Sequence, residues 1–89
     1  MLVDALSPRR EALRPAAAAA FAEAVGWPLA REVQLRGLTR DGRLLAVARS
    51  EPWAAQIRAL APRIVERVNE RLGPGTAVDV DVRLGPLDR

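Results

Sequence analysis

The chain contains no cysteine, histidine, lysine or tyrosine, and only three of its residues are aromatic. Without cysteine there is no disulfide framework, which removes a typical mark of secreted domains. Without histidine and cysteine, an ordinary zinc site, a thiol nucleophile and an imidazole base are all excluded. We therefore expect a protein that is not an enzyme and that carries no metal or other cofactor.

Long apolar runs are also missing, so no segment is predicted to span a bilayer. The first six residues are too few for a signal peptide, and they include Asp4 where such a peptide has positive charge. These absences predict a soluble, cytoplasmic protein without a membrane partner. The 89 residues are enough for one domain, and neither an internal repeat nor a linker is visible.

All 14 basic residues are arginines, and with 11 acidic residues the formal net charge is +3. A net positive charge of this size is compatible with binding to nucleic acid but does not require it. Residues 27–52 and residues 53–72 each carry two more positive than negative charges. These segments supply six candidate phosphate-binding residues: Arg36, Arg40, Arg43, Arg49, Arg58 and Arg63. The alternative is that these arginines belong to an ordinary solvated surface. On the long helix, Glu66 and Glu70 alternate with the arginines about one helical turn apart, where opposite charges neutralise each other.

The longest helical pattern runs from residue 53 to residue 72, with apolar residues recurring on one broad face. Ser50 stands at the N-cap position, Pro52 lies in the first turn, and residues 73–75 (Gly-Pro-Gly) stop the helix. Asn69 falls on the opposite, polar face. The predicted core residues of this helix are Trp53, Ile57, Leu60, Ile64 and Val68.

An alanine-rich segment nearer the amino terminus predicts another helix. Ser7 and Pro8 are typical of a helix start, and Pro15 interrupts or restarts the helix. Residues 26–28 (Gly-Trp-Pro) end it, and residues 29–32 can add one more helical turn. The predicted buried stripe consists of Leu13, Ala17, Ala20, Phe21 and Ala24. All three aromatic residues are expected to fill core sites: Phe21, Trp27 and Trp53.

Two strand-like runs flank Asp41-Gly42, a residue pair typical of a tight hairpin turn. In the first run, apolar and polar residues alternate until the alternation shifts by one residue at Gly37. This shift predicts a β-bulge. The second run, residues 43–49, is apolar on both faces. We place three small or branched side chains of this run beneath the long helix: Leu44, Ala46 and Ala48.

The last strand-like run, residues 76–84, alternates cleanly between apolar and charged residues. Four apolar residues are predicted to face inward: Val78, Val80, Val82 and Leu84. Asp79 and Asp81 face outward, where solvent-facing acids are a better interpretation than a magnesium site. The elements predict an α+β fold in the order α-β-β-α-β, with two helices packed on one face of a three-stranded sheet.

The other face of this sheet is the predicted protein interface. Leu45 and Val47 point away from the long helix, and the sequence places Arg36, Arg43 and Arg49 around them. An apolar patch with a charged rim is typical of protein interfaces. The alternative is that the N-terminal residues, or a second copy of the chain, cover this face.

Several short motifs follow one another in an order that resembles a known family: Phe21-Ala-Glu-Ala-Val-Gly26, Leu29-Ala30, Asp41-Gly42-Arg43-Leu44, Ser50-Glu-Pro-Trp-Ala54 and Asn69-Glu-Arg-Leu-Gly73. In this order and spacing the chain resembles the DciA family over about residues 16–84, within a single domain of residues 1–89. Phe21 stands where the family usually has Trp, and Val68 where it usually has Leu. The chain also lacks the long basic extension of many members, which places in question any function located in such a tail.

The resemblance implies a KH-like domain that acts in bacterial DNA replication. Family members bind the DnaB-type replicative helicase, assist its loading on DNA and contact DNA, single-stranded or double-stranded, without sequence specificity. The alternative is a KH-like nucleic-acid-binding module that contacts single-stranded DNA or RNA through its arginines. Nucleic-acid-binding KH domains need a Gly-x-x-Gly loop, which this chain lacks, and no exposed aromatic set is predicted for base stacking. The adaptor function is therefore the favoured prediction.

Overall fold

The structure, a computed structural model, describes residues 15–87 of the chain. Within this range residues 15–25 form helix α1, followed by α2 (Leu29–Glu32), β1 (Val33–Leu38), β2 (Arg43–Ala48), α3 (Glu51–Leu72) and β3 (Asp79–Leu84). The predicted α+β fold is confirmed, including the additional helical turn α2. The expectations for Ser7, Pro8 and Leu13 lie outside the described residues.

The three strands form one mixed sheet with β2 in the middle. β1 pairs with β2 in antiparallel orientation, and β2 pairs with β3 in parallel orientation. Two parallel neighbours cannot be joined by a tight turn and need a long crossover, which α3 provides. The sequence predicted the number of strands but not this parallel pair.

The β1–β2 hairpin has the irregularities that its sequence predicts. Leu35 pairs with Ala46 and Gly37 pairs with Leu45, so the register shifts by one residue at the expected bulge. In the connecting loop Gly42 has a φ of 91°, a conformation that favours glycine. A Cβ atom on Gly42 would lie only 3.0 Å from the carbonyl oxygen of Thr76, so glycine also allows the loop to approach the chain that leads into β3.

The hydrophobic core lies between the sheet and the two longer helices. The predicted helix-facing side of β2, consisting of Leu44, Ala46 and Ala48, is fully buried. The two longer helices supply eight further buried side chains: Ala17, Ala20, Phe21 and Val25 from α1, and Ala54, Ile57, Ile64 and Val68 from α3. Leu29, Val33, Ala77 and Val82 complete the buried set. Burial of each large side chain contributes roughly 1.5–3 kcal/mol.

The Asn69 side chain holds helix α3 to the chain that leads into β3. The Asn69 side-chain amide donates to the carbonyl oxygen of Ala77 and accepts from the Ala77 backbone N–H, both at 2.8 Å. Its place on the polar face of the helix suggested that Asn69 faces solvent. Its side chain instead binds the backbone of Ala77. The helix begins after Ser50 and ends at Gly73 as predicted, although the Ser50 side chain makes no capping hydrogen bond.

Several apolar residues are less buried than their pattern predicted. The core assignment of Trp27 is wrong, because the residue is 75% exposed in the turn between α1 and α2, where its peptide bond with Pro28 is cis. Val78 and Leu84 are also exposed, since they lie just before the start and at the last residue of the edge strand β3. Trp53 and Leu60 pack against the core but are only partly buried. Within residues 15–87, no helix is both long and apolar enough to cross a bilayer.

Candidate functional site

The open face of the sheet, on the side away from α3, carries the two predicted interface residues. The strand register places Leu45 between Gly37 and Asp81, and Val47 between Gln34 and Arg83. Both apolar side chains are partly buried. The rim is thus of mixed charge, because Asp81 and Arg83 join the arginines that the sequence had placed there.

The chain that follows β3 covers part of this open face. A Cβ atom on Gly85 would lie 3.2 Å from a Val47 methyl group, and the Arg36 guanidinium donates a 2.8 Å hydrogen bond to the carbonyl oxygen of Pro86. Because β2 lies between β1 and β3, this bond reaches across β2. Gly85 therefore lies beside Val47, and we take Leu45 as the centre of the candidate interface.

The six candidate phosphate-binding arginines do not form one patch. Arg43 and Arg49 flank the two ends of β2, roughly 20 Å apart at the rise of a strand. Arg49 lies 3.5 Å from Glu32, and Arg58 lies 2.8 Å from Glu51 in the first turn of α3. Within residues 15–87, only Arg40 and Arg63 of the six lack a hydrogen bond or ion pair.

At the hairpin loop, charges are partly balanced. The Asp41 carboxylate accepts a hydrogen bond from the Thr39 hydroxyl and lies 3.7 Å from the Arg43 guanidinium. The Thr39 hydrogen bond is the main reason that the pKa of the Asp41 carboxyl lies below its ordinary value, and the charge of Arg43 lowers this pKa further. Arg40 is therefore the hairpin arginine whose charge is least offset.

On helix α3 the expected neutralisation by neighbouring glutamates is not seen. In the described part of the chain, neither Glu66 nor Glu70 lies within 4 Å of an arginine nitrogen. Arg71 instead pairs with Glu23 of α1 at 2.5 Å, which links the two longer helices. Arg63 and Arg67 keep their positive charge on the exposed side of α3.

One surface feature was missed by the sequence reasoning. The Arg31 guanidinium of α2 lies over the ring of Trp27 in the turn before this helix, 5.5 Å from the ring centroid. The position of Trp27 between Gly26 and Pro28 indicated a turn, and a turn residue is more often exposed than buried. The Trp27 corner, consisting of Trp27, Arg31, Glu32 and Arg49, is thus an additional candidate site.

The two aspartates of β3 are engaged locally. The Asp79 carboxylate accepts the backbone N–H of Val80 at 2.8 Å, and the Asp81 carboxylate lies 3.6 Å from Arg83. Among residues 15–87, no three acidic side chains lie close enough together to hold a metal ion. The described surface carries an apolar strand face, several arginines and one exposed indole.

Comparison with known proteins supports the resemblance seen in the ordered motifs. The family model described as "Dna[CI] antecedent, DciA" matches residues 2–82. A relative from Streptomyces avermitilis, called UPF0232 protein, is 45% identical over 53 residues, which cover 58% of this chain and 29% of the relative. The matched part thus spans less than a third of that relative's length. The resemblance inferred from the sequence is confirmed.

Proposed function

Because the chain belongs to the DciA family, we propose that it is a non-catalytic adaptor in bacterial DNA replication. It binds the DnaB-type replicative helicase and assists its loading on DNA. The family match over residues 2–82 is the observation that carries this proposal. The chain's lack of histidine and cysteine fits a role in binding, and the proposed place of action is the cytoplasm.

The proposed contact with the helicase is the open face of the sheet. Leu45 lies between the two edge strands at the middle of this face, and the Gly85 backbone approaches its neighbour Val47. A partly exposed apolar centre with Asp81 and Arg43 nearby suits an interface of apolar core and polar rim. The proposed KH-like character of the domain is a separate expectation on which this contact does not depend.

Capture by immobilised DnaB-type helicase tests the adaptor function and its surface. We expect Leu45→Asp to weaken capture at least tenfold, because a charge would replace the apolar centre of the interface. Leu84→Asp is the control, since Leu84 is a more exposed leucine on the helix-facing side of β3. If folded Leu45→Asp is captured like the original chain, the open face is not the interface. If the original chain is not captured, with or without single-stranded DNA, the adaptor function is wrong.

A second candidate function is non-specific contact with DNA through the arginines. Arg40 and Arg63 favour it, because their charges are not offset by an ion pair within residues 15–87. Contacts with phosphates release counterions, so the affinity for DNA should fall as the salt concentration rises. Binding measured at two salt concentrations tests this candidate, and an affinity that does not change with salt would contradict it.

A further inference from the structure

Trp27 is the most exposed of the large apolar side chains that the structure describes. It is 75% exposed, whereas the other two aromatic residues lie in the core or pack against it. An indole in water leaves a large apolar surface unburied, and burial of that surface on a ligand would be favourable. The position therefore suits a contact that the isolated domain does not make.

The chemistry around Trp27 is cationic and aromatic. Arg31 lies over the indole at 5.5 Å and makes no ion pair within residues 15–87. Arg49 is held at the same corner, because its backbone N–H donates to the carbonyl oxygen of Glu32 and its guanidinium lies 3.5 Å from the Glu32 carboxylate. The Trp27 corner thus combines a planar ring with two arginines and one carboxylate.

This combination fits an unpaired nucleic acid base better than a protein side chain. A base needs one open aromatic face for stacking and nearby positive charge for its phosphate. A protein hot spot is instead surrounded by other apolar contacts. The other two large exposed apolar residues that the structure describes, Val78 and Leu84, lie just before β3 and at its last residue, whereas Trp27 lies in the turn between α1 and α2.

We infer that the Trp27 corner binds single-stranded DNA by stacking one unpaired base on the indole. Arg31 holds the ring from its other side and supplies positive charge for the adjacent phosphate. Since one ring stacks one base, the contact is independent of base sequence. This inference rests on the DNA-binding part of the proposed function and assigns it to unpaired strands at a defined position.

Binding of labelled oligothymidine of about 12 nucleotides by the 89-residue chain tests the inference. An abasic strand with the same phosphates serves as the matched probe. We expect Trp27→Ala to weaken oligothymidine binding about tenfold and Trp27→Phe to weaken it less, because phenylalanine keeps a stacking face. The abasic strand should bind the original chain weakly, with no further loss in Trp27→Ala. Leu84→Ala, which removes another exposed side chain, should bind oligothymidine like the original chain.

Tryptophan fluorescence gives a second readout that does not depend on the alanine variant. Oligothymidine should quench the emission of the original chain, and most of this quenching should disappear in Trp27→Phe, where only the partly buried Trp53 remains. Equal binding of oligothymidine and the abasic strand, or equal binding by Trp27→Ala and the original chain, would overturn the inference. So would a Trp27→Ala variant that loses only capture by the helicase, since the indole would then be a protein contact. A chain that captures helicase but binds no oligothymidine would overturn the inference and leave the adaptor function intact.

Discussion

The two faces of strand β2 are both apolar, but they differ in what covers them. On one face Leu44 is completely buried, because α1 and α3 close over the sheet. On the other face Leu45, the next residue along the strand, is only partly buried between the two neighbouring strands. The same residue type is therefore part of the packed core on one face and belongs to the proposed interface on the other. Substitutions on the two faces should separate these effects.

Leu44→Ala should cause the largest loss of stability. The substitution removes a fully buried side chain and leaves a cavity beneath the helices, which costs about 2–5 kcal/mol. This is a large part of the total stability of a small domain. Urea unfolding followed by circular dichroism measures the change in the free energy of unfolding. A loss below about 1 kcal/mol would mean that the helix-facing side of β2 is not a packed core.

Asn69→Ala tests whether the closed side of the molecule also depends on a polar tether. The variant leaves the buried backbone N–H and carbonyl of Ala77 without their partner, which should cost about 1–3 kcal/mol. Glu70→Ala is the matched control on the next residue of α3, and its effect should lie within about 0.5 kcal/mol of zero. The same urea titration compares the two variants. Equal effects would show that the Asn69 side chain does not hold β3 to α3.

Much of the fold follows from local sequence patterns. Three local predictions are confirmed: the burial of Leu44 on one face of β2, the turn at Asp41-Gly42, and the bulge at Gly37. Each depends on the backbone geometry of a few neighbouring residues. The parallel pairing of β3 with β2 could not be predicted in this way. It depends on which elements meet after α3 crosses the sheet, and no local pattern reports that.

The candidate sites were less predictable than the fold. A polar helix residue such as Asn69 has the same pattern whether it faces solvent or a backbone partner. Hydrophobicity placed Trp27 in the core, but the turn that contains it lies at a corner that neither longer helix covers. The arginines close in sequence are far apart on the surface, because Arg43 and Arg49 flank the two ends of one strand. Burial and proximity are tertiary properties, and composition does not determine them.

Leu45→Ala should have a smaller effect on stability than Leu44→Ala. The side chain is only partly buried, so its truncation should cost roughly 1 kcal/mol or less. If the open face is the proposed interface, the same variant should weaken capture by the helicase more than Leu44→Ala does, under conditions where both are folded. Urea unfolding and helicase capture, measured on the same preparations, test the contrast. A Leu45→Ala variant as unstable as Leu44→Ala would show that the open face is part of the core.

Asp41→Asn should have the smallest effect, and its effect should depend on pH. The Thr39 hydroxyl, and then Arg43, stabilise the Asp41 carboxylate in the folded chain, which lowers its pKa below the unfolded value of 3.8. A lowered pKa adds stability that is fully present above the unfolded pKa and is lost as the pH falls through the folded pKa. Asparagine keeps an oxygen for the Thr39 hydroxyl and suits the turn, but it has no charge for Arg43. The original chain should therefore be slightly more stable than Asp41→Asn at pH 6, and this difference in thermal midpoint should shrink as the pH falls below about 4. A difference that grows on acidification would contradict the assigned direction of the pKa shift.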